Sequence, residues 1–433
     1  MEGNGLNSFQ KLMQCWTTLA PYNAVQAIEV SGMADIAVWQ RAANHVLEQL
    51  TNQKRIPPLP PLEPFEVWGI GTSSQETIVR HMNMPFADGQ CPLRLCVVQD
   101  EKSFHLIVVY DHWLADSWSI RELMRCFYFQ ARDQAFTTEF APLTASEQRA
   151  HWLQSGIQCL RQYLRHRRAA RLNFIDPLDF KTGMTVRVLD GDFIVRIKQA
   201  AKTRGVSVHD IFVTMIARLM GELTQKDRYA HRRLGHASRD RVAIGSIVDI
   251  RKFLMPQSSI VGQADQSLPG GTGAGRQFGV SLGFTTTLTR SPEGAPMDEL
   301  LQTVHKQHTL QKRRRAPLAS LAALEVTRFF WNLYHEKRHH AIFFSKNLPL
   351  LAGISNVNLT DQWMCHTEAN TFEICNYFRV SPVGPLLPLV WATTTFKNRL
   401  TLCLTYRQTA LNPRQAEGLI DDFVVMLENF IKS

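Results

Sequence analysis

Apolar positions recur at three- and four-residue steps through Leu6, Phe9, Leu12, Met13, Trp16 and Leu19, which predicts a helix over 6–19. A short β-branched run at 25–30 reads as a strand, and 36–50 as a second helix. The segment PPLPPLEP at 57–64 is an extended, stiff connection. Residues 77–84 read as a strand. Two apolar runs at 93–99 and 104–110 flank Asp100, Glu101, Lys102 and Ser103, the pattern of a β-hairpin. Helical spacing returns at 117–136 and in a long basic stretch at 146–170.

Loop-type residues gather at 176–183, so a lobe boundary is placed there, dividing the chain into 1–178 and 179–433. A new pattern starts at 186–189. Helices are predicted at 194–204, stopped by Gly205, and at 207–224, opened by Ser207 and Asp210. A strand follows at 242–250, and the Gly, Ser and Pro content of 256–276 reads as a mobile loop. A strand at 278–289 precedes helices at 297–315 and 318–334. Strands at 373–380, 389–395 and 399–406 lead to an amphipathic helix at 413–431. No strict strand–helix–strand alternation runs through the chain, so the expected class is α+β rather than one doubly wound sheet.

With 433 residues, 45% hydrophobic and 20% charged, the chain is neither disordered nor collagen-like. The longest apolar stretch, 383–396, is broken by Pro385 and Pro388, so no transmembrane segment is expected. The first residues show no basic-then-apolar leader. Eight scattered cysteines form no CxxC pair, which fits a reduced cytoplasm and argues against a zinc ribbon. There are 48 basic and 38 acidic residues, a net charge of +10. That excess favours an anionic partner such as a carrier protein, a phosphorylated cofactor, a membrane surface or nucleic acid. Five Arg fall within 161–171, with smaller clusters at 228–241 and 312–315. No nucleic-acid-binding motif or aromatic platform accompanies them, so no nucleic-acid partner is expected, although a basic binding protein is the non-enzymatic alternative.

Candidate chemistry concentrates at Tyr110-Asp111-His112-Trp113-Leu114-Ala115-Asp116-Ser117-Trp118, where an apolar strand ends and a helix begins. A histidine at a strand end can face a cleft and take a proton near neutral pH. Asp116 orients that ring or anchors the turn through an arginine. Other motifs are weaker. His335-Glu336-Lys337-Arg338-His339 matches HExxH, and on a helix its two His would share a face, with Glu368 or Glu373 as a third ligand. The intervening Lys and Arg oppose a dication, and no metal is expected. Gly279-Val280-Ser281-Leu282-Gly283 matches GxSxG, but no helix follows to make a nucleophile elbow. The glycines of 270–275 precede Arg276 and Gln277 rather than a phosphate-loop Lys and Ser/Thr. His305 and His308 are expected as exposed side chains.

The segment around His112 resembles the HHxxxDG motif of the CoA-dependent acyltransferase superfamily. That group includes chloramphenicol acetyltransferase, nonribosomal peptide condensation domains, wax-ester synthases and polyketide-associated acyltransferases. The resemblance extends to 84–94, to Ile244–Arg251 with its Asp-x-Arg ending, to the Ser-Asn element at 354–358, and to 402–408 with the terminal helix. Asp111 replaces the first His and Ser117 the final Gly, and no DFGWG motif is present. The resemblance implies two chloramphenicol acetyltransferase-like lobes in a V-shaped pseudo-dimer with a tunnel between them. It implies a thioester on CoA or a phosphopantetheine-bearing carrier protein as donor, a hydroxyl or amine as acceptor, and no permanently bound cofactor. His112 would be the general base. Asp116 would be structural and paired with Arg251, with Asp111, Ser117 and Asn356 in support. A member that kept the fold and lost the reaction is the alternative within the family.

Overall fold

The computed structural model describes residues 6–136, 138–143, 163–189, 191–233, 239–254, 276–359 and 373–432. Two mixed-element layers are built around two sheets. The first has the order β2-β3-β4-β1-β9. It comprises β1 (Asn23–Ser31), β2 (Glu66–Trp68), β3 (Leu93–Gln99), β4 (Ser103–Asp111) and β9 (Ile374–Val380). The second has the order β5-β11-β10-β8-β6-β7. Its strands are β5 (Thr182–Leu189), β6 (Arg241–Asp249), β7 (Leu282–Arg290), β8 (Ala352–Asn358), β10 (Leu389–Phe396) and β11 (Arg399–Arg407). The class is α+β, as the patterning indicates.

Strand alternation explains why the first sheet is apolar along its whole length. On β4, Phe104, Leu106, Val108 and Tyr110 enter one core with α2 (Ile36–Asn52) and α4 (Ser117–Gln130). Ile107 and Val109 point the other way, into a layer with Met184, Ala392 and Cys403 of the second sheet. Both faces are buried, so β1, β3 and β4 read as near-continuous hydrophobic runs. The second sheet packs its outer face on α5 (Phe193–Thr203), α6 (Val208–Arg233) and α11 (Pro413–Lys432). A third cluster joins α1 (Ser8–Thr17), α9 (Ala316–Trp331) and α10 (Lys337–Asn347) through Trp16, Trp331 and Phe344.

Several expectations change. Residues 77–84 are not a strand: α3 spans Ser74–Met82. Ser73 accepts the Glu76 N–H as a cap, Arg80 and His81 occupy the last turn, and Thr77, Ile78, His81 and Met82 share the buried face. The helix expected over 117–136 stops at Gln130. Of the predicted helix at 146–170, 146–162 lie outside the described residues, and helix ends at 166. The loop expected at 256–276 is outside them too, except Arg276. The strand expected from 278 starts at Leu282, because 277–281 is taken up by contacts to α4. The helix α10, and the strands β2 and β8, were not predicted as such. Among the described residues no helix is long and apolar enough to cross a membrane.

The connection β4–α4 sits where the two sheets meet. β9 comes late in the chain and pairs with β1, placing Arg379 opposite Gln26. The segment 277–281 leads into β7, against which α9 packs at Gly283. A Cβ on Gly283 would lie 2.4 Å from the Pro317 carbonyl and 2.9 Å from Ile250 Cγ2. Gly283→Ala is therefore expected to lower stability by about 1–3 kcal/mol in urea unfolding. An unchanged midpoint would show that α9 can move aside freely.

Candidate active site

The first strand contact past β4 fixes the histidine. The His112 N–H donates to the Tyr22 carbonyl at 3.1 Å, and its ring stacks on Tyr22 and meets Tyr110 edge-on, each with centroids 5.8 Å apart. Nδ1 lies 3.1 Å from the Ala115 carbonyl. A carbonyl oxygen only accepts, so Nδ1 carries the proton. The Nε2 lone pair is thereby left for chemistry. Burial lowers the His112 pKa, with the Ala115 carbonyl and the Asp116 charge opposing, so the neutral ring is favoured.

Asp116 is fully buried and does not touch that ring as an orienting partner. It caps α4, its Oδ1 accepting the Ser119 N–H at 3.1 Å. Oδ2 accepts from Arg251 Nη1 at 2.7 Å and from the Ser281 N–H at 2.8 Å. Arg251 Nη2 donates to Ser119 Oγ at 3.0 Å and to the Gly279 carbonyl at 3.1 Å. The guanidinium lies over the Trp118 ring. Burial alone would raise the Asp116 carboxyl, but the Arg251 charge and these donors hold it below the ordinary value. The same attraction outweighs burial on Arg251 and raises it. The GxSxG look-alike thus supplies backbone to this lock: the Gly279 carbonyl and the Ser281 N–H.

Asp111 ends β4 beside Arg94 and Trp113, with Oδ1 buried and unpaired. Burial pushes its carboxyl up to about 7 against hydrogen bonds from Trp113. Ser117 opens α4. Its carbonyl accepts from Gln26 at 2.9 Å and its Oγ from Arg379 Nη1 at 3.3 Å. Asn356 stands apart on β8, where Oδ1 accepts the Thr393 hydroxyl at 2.7 Å. Its neighbour Ser355 is the residue that reaches the cluster, through Arg379. The structure therefore gathers His112, Asp116, Ser117 and Arg251, leaves Asp111 on the Arg94 side, and puts Asn356 in the β8–β10 ladder. Ser119, Gln26 and Arg379 were missed. Only an arginine inside an apolar strand and a glutamine inside another marked two of them.

The other motifs resolve differently. His335 precedes α10 and Glu336 is its cap residue, so the HExxH histidines do not share a helical face. Among the described residues one three-donor group exists, Glu66, His81 and Cys96, with His81 Nε2 3.4 Å from both partners. Arg80 and Arg94 act on it unfavourably for a dication. His308 is buried, not exposed: Nδ1 meets Asp210 at 2.5 Å and Nε2 meets Thr287 at 2.8 Å. His305 Nδ1 reaches the same Asp210 at 2.9 Å. This network ties α6 and α8 (Met297–Arg313), the helix after the short α7 (Arg251–Leu254), to β7.

The arrangement of elements is that of the condensation-domain and acetyltransferase fold. The cyclization-docking bidomain of the EpoB nonribosomal peptide synthetase from Sorangium cellulosum is similar, with a TM-score of 0.65 and 13% identity over 99% of this chain and 84% of that one. The condensation domain of the monacolin K polyketide synthase MokA matches at 0.64 and 12%, over 99% and 97%. The trichothecene 15-O-acetyltransferase TRI3 of Fusarium sporotrichioides matches at 0.71 and 10%, over 99% and 94%. No protein-family model and no curated protein matches the sequence.

The raised Asp111 carboxyl carries a stability consequence. The folded state holds that proton up to about pH 7, whereas an ordinary aspartate releases it near 3.8. Stability is therefore lost as pH rises between those values and stays lost above them. Asp111→Asn removes the penalty. Its melting temperature should exceed wild type at pH 8 by at least about 2–4 °C, with the two converging near pH 4. An equal difference at both pH values would refute the assignment.

Proposed function

We propose that the protein is an acyltransferase that moves an acyl group from a thioester to a hydroxyl or amine, with His112 as general base. The observation that carries this reading is the tautomer. Nδ1 is committed to the Ala115 carbonyl, so Nε2 is the free base. The likeness of fold to condensation domains and an acetyltransferase supports the same reaction class.

In the proposed sequence, Nε2 takes the proton of the acceptor hydroxyl or amine as it attacks the thioester carbonyl. The carbonyl π pair moves to oxygen, giving a tetrahedral oxyanion. That charge is favoured near the N-terminal end of α4, which the turn at 112–116 precedes. Collapse restores the carbonyl, breaks the C–S bond and expels thiolate, which recovers the proton from His112. No covalent acyl-enzyme is required, and the product is an ester or amide. The two substrates enter a tunnel between the lobes from opposite ends, and the largest gain is positioning.

The donor is a thioester of CoA or of phosphopantetheine on a carrier protein. Arg165, Arg167 and Arg168 are exposed, and with Leu164 and Arg241 they line a cavity of about 350 Å³. This basic surface suits an acidic carrier or the CoA phosphates.

Thiol release from a panel of acyl-CoA and acyl-pantetheine thioesters, with mixed alcohols and amines, tests the reading. Release should require an acceptor and fall by about 10²–10⁴ in His112→Ala, with an unchanged melting temperature. Because burial lowers the His112 pKa, the ring stays neutral and active below the ordinary histidine range near 6.5. The acid limb of the rate profile should therefore lie below pH 6.5. Release that ignores His112, or an acid limb above that value, would overturn the assignment.

A further inference from the structure

The helix α9 has two apolar faces. One, with Leu324 and Trp331, is buried on β7, α1 and α10. On the opposite side Val326, Phe329, Phe330 and Leu333 follow at the spacing i, i+3, i+4, i+7, which puts them on one stripe. They are 42%, 65%, 49% and 58% exposed. Leu333 belongs to the stripe because the turn past Trp331 keeps the helical sense, its N–H donating to the Phe330 carbonyl at 3.2 Å. Ala319 and Ala323 extend the stripe toward the start of α9. The two charged residues of the helix, Glu325 and Arg328, lie off it and close on each other, Arg328 Nη2 donating to Glu325 Oε2 at 3.1 Å. A helix on a protein surface ordinarily turns one apolar stripe inward and its charges outward. A second, outward stripe with two phenylalanines marks a surface that gains by being covered.

The charge around the stripe is of one sign. Lys312, Arg313, Arg314 and Arg315 are exposed where α8 ends and α9 begins. Lys337 and Arg338 are exposed at the start of α10, just past the other end. From 312 to 346 the sequence carries eight Lys and Arg against two Glu, and one of those is Glu325, already paired. The stripe is thus bracketed by cations. A second copy docked on it through a twofold axis would set these like charges against one another. Four half-exposed side chains are also few beside the about 20–30 residues a side of a standard protein interface. A bilayer needs no complementary surface. Apolar side chains enter the boundary between headgroups and acyl chains, while Lys and Arg reach the phosphates along their aliphatic stems. Anionic headgroups match the sign of the rim.

We propose that this face of α9 seats the protein on the surface of an anionic lipid bilayer. Val326, Phe329, Phe330 and Leu333 enter the headgroup–acyl boundary, and the cations at the two ends of α9 meet lipid phosphates. The helix lies in the interface and does not span it. Its buried face packs in the cluster that contains Tyr22, the ring stacked on His112, so the bilayer rests on the same layer of the fold as the candidate base. The binding stands apart from the acyltransferase reading and is read without turnover.

Vesicle flotation of the full chain tests it, with phosphatidylcholine alone and with an equimolar mixture of phosphatidylcholine and phosphatidylserine. Wild type should float with the mixed vesicles and bind phosphatidylcholine alone at least about tenfold more weakly. Phe329→Ser combined with Phe330→Ser should melt as wild type does and lose at least about tenfold in affinity for the mixed vesicles. Arg313→Gln combined with Arg314→Gln should fall toward the affinity that wild type shows for phosphatidylcholine alone. No flotation with either vesicle overturns the proposal and leaves the stripe to a protein partner. Flotation that survives the phenylalanine substitutions overturns it too, since charge alone would then explain binding. So does a concentration-dependent dimer in sedimentation that those substitutions dissolve, which would give the stripe to a second copy. A phenylalanine variant that fails to fold would contradict the exposure on which the proposal stands.

Discussion

The site hangs on one buried ion pair. Asp116 and Arg251 are 135 residues apart in sequence and 2.7 Å apart in space. Removing both charges from water is costly, and the cost is offset only because the remaining atoms are nearly all satisfied. Asp116 also caps α4 and holds the Ser281 N–H, while Arg251 holds Ser119 and Gly279. One pair thus ties the start of α4, the end of β6 and the entry to β7 into a single knot. It is a geometric constraint rather than a source of large net stability.

The knot explains what is left for chemistry. With Asp116 committed to Arg251, it cannot serve as a relay partner to His112, and a backbone carbonyl sets the tautomer instead. Tyr22 and Tyr110 hold the ring by its faces and edge. With Nδ1 committed, the Nε2 lone pair is what the His112 ring has left for chemistry. Ser117, at the next helical position, links this turn to Arg379 and so to the second sheet. A base, a helix start and the Arg379 guanidinium therefore meet at the junction of the sheets. In the proposed acyl transfer, that combination would favour the developing negative charge of a tetrahedral intermediate.

Much of the fold was legible because its signals are local. The hairpin of β3 and β4 followed from two apolar runs and a polar turn, and α2 and α11 from their periodicity. The errors have physical causes. Residues 74–82 carry β-branched Thr77, Ile78 and Val79, yet the Ser73 cap and the buried stripe through His81 and Met82 make a helix. α10 is short and rich in charge and aromatics, so its pattern is weak; it forms against Trp331 and Trp16. At the site, His112 was marked by its strand-end position and by the resemblance of its motif. The partners were not, since Gly279 and Ser281 act through backbone atoms that no side-chain motif records. Arg379 and Gln26 were hidden inside apolar strands, where a lone polar residue is easily read as an interruption. The burial of His308 was missed for a similar reason, because its partner Asp210 comes from another helix.

A double-mutant cycle on Asp116→Asn and Arg251→Met tests the account most directly, with unfolding measured in urea. If the pair is the constraint described, each single change strands a buried partner and costs about 3–5 kcal/mol. The double variant then loses clearly less than the sum of the two, a coupling of at least about 1 kcal/mol. Simple additivity would contradict the account, since it would mean that the two side chains stabilise the junction independently.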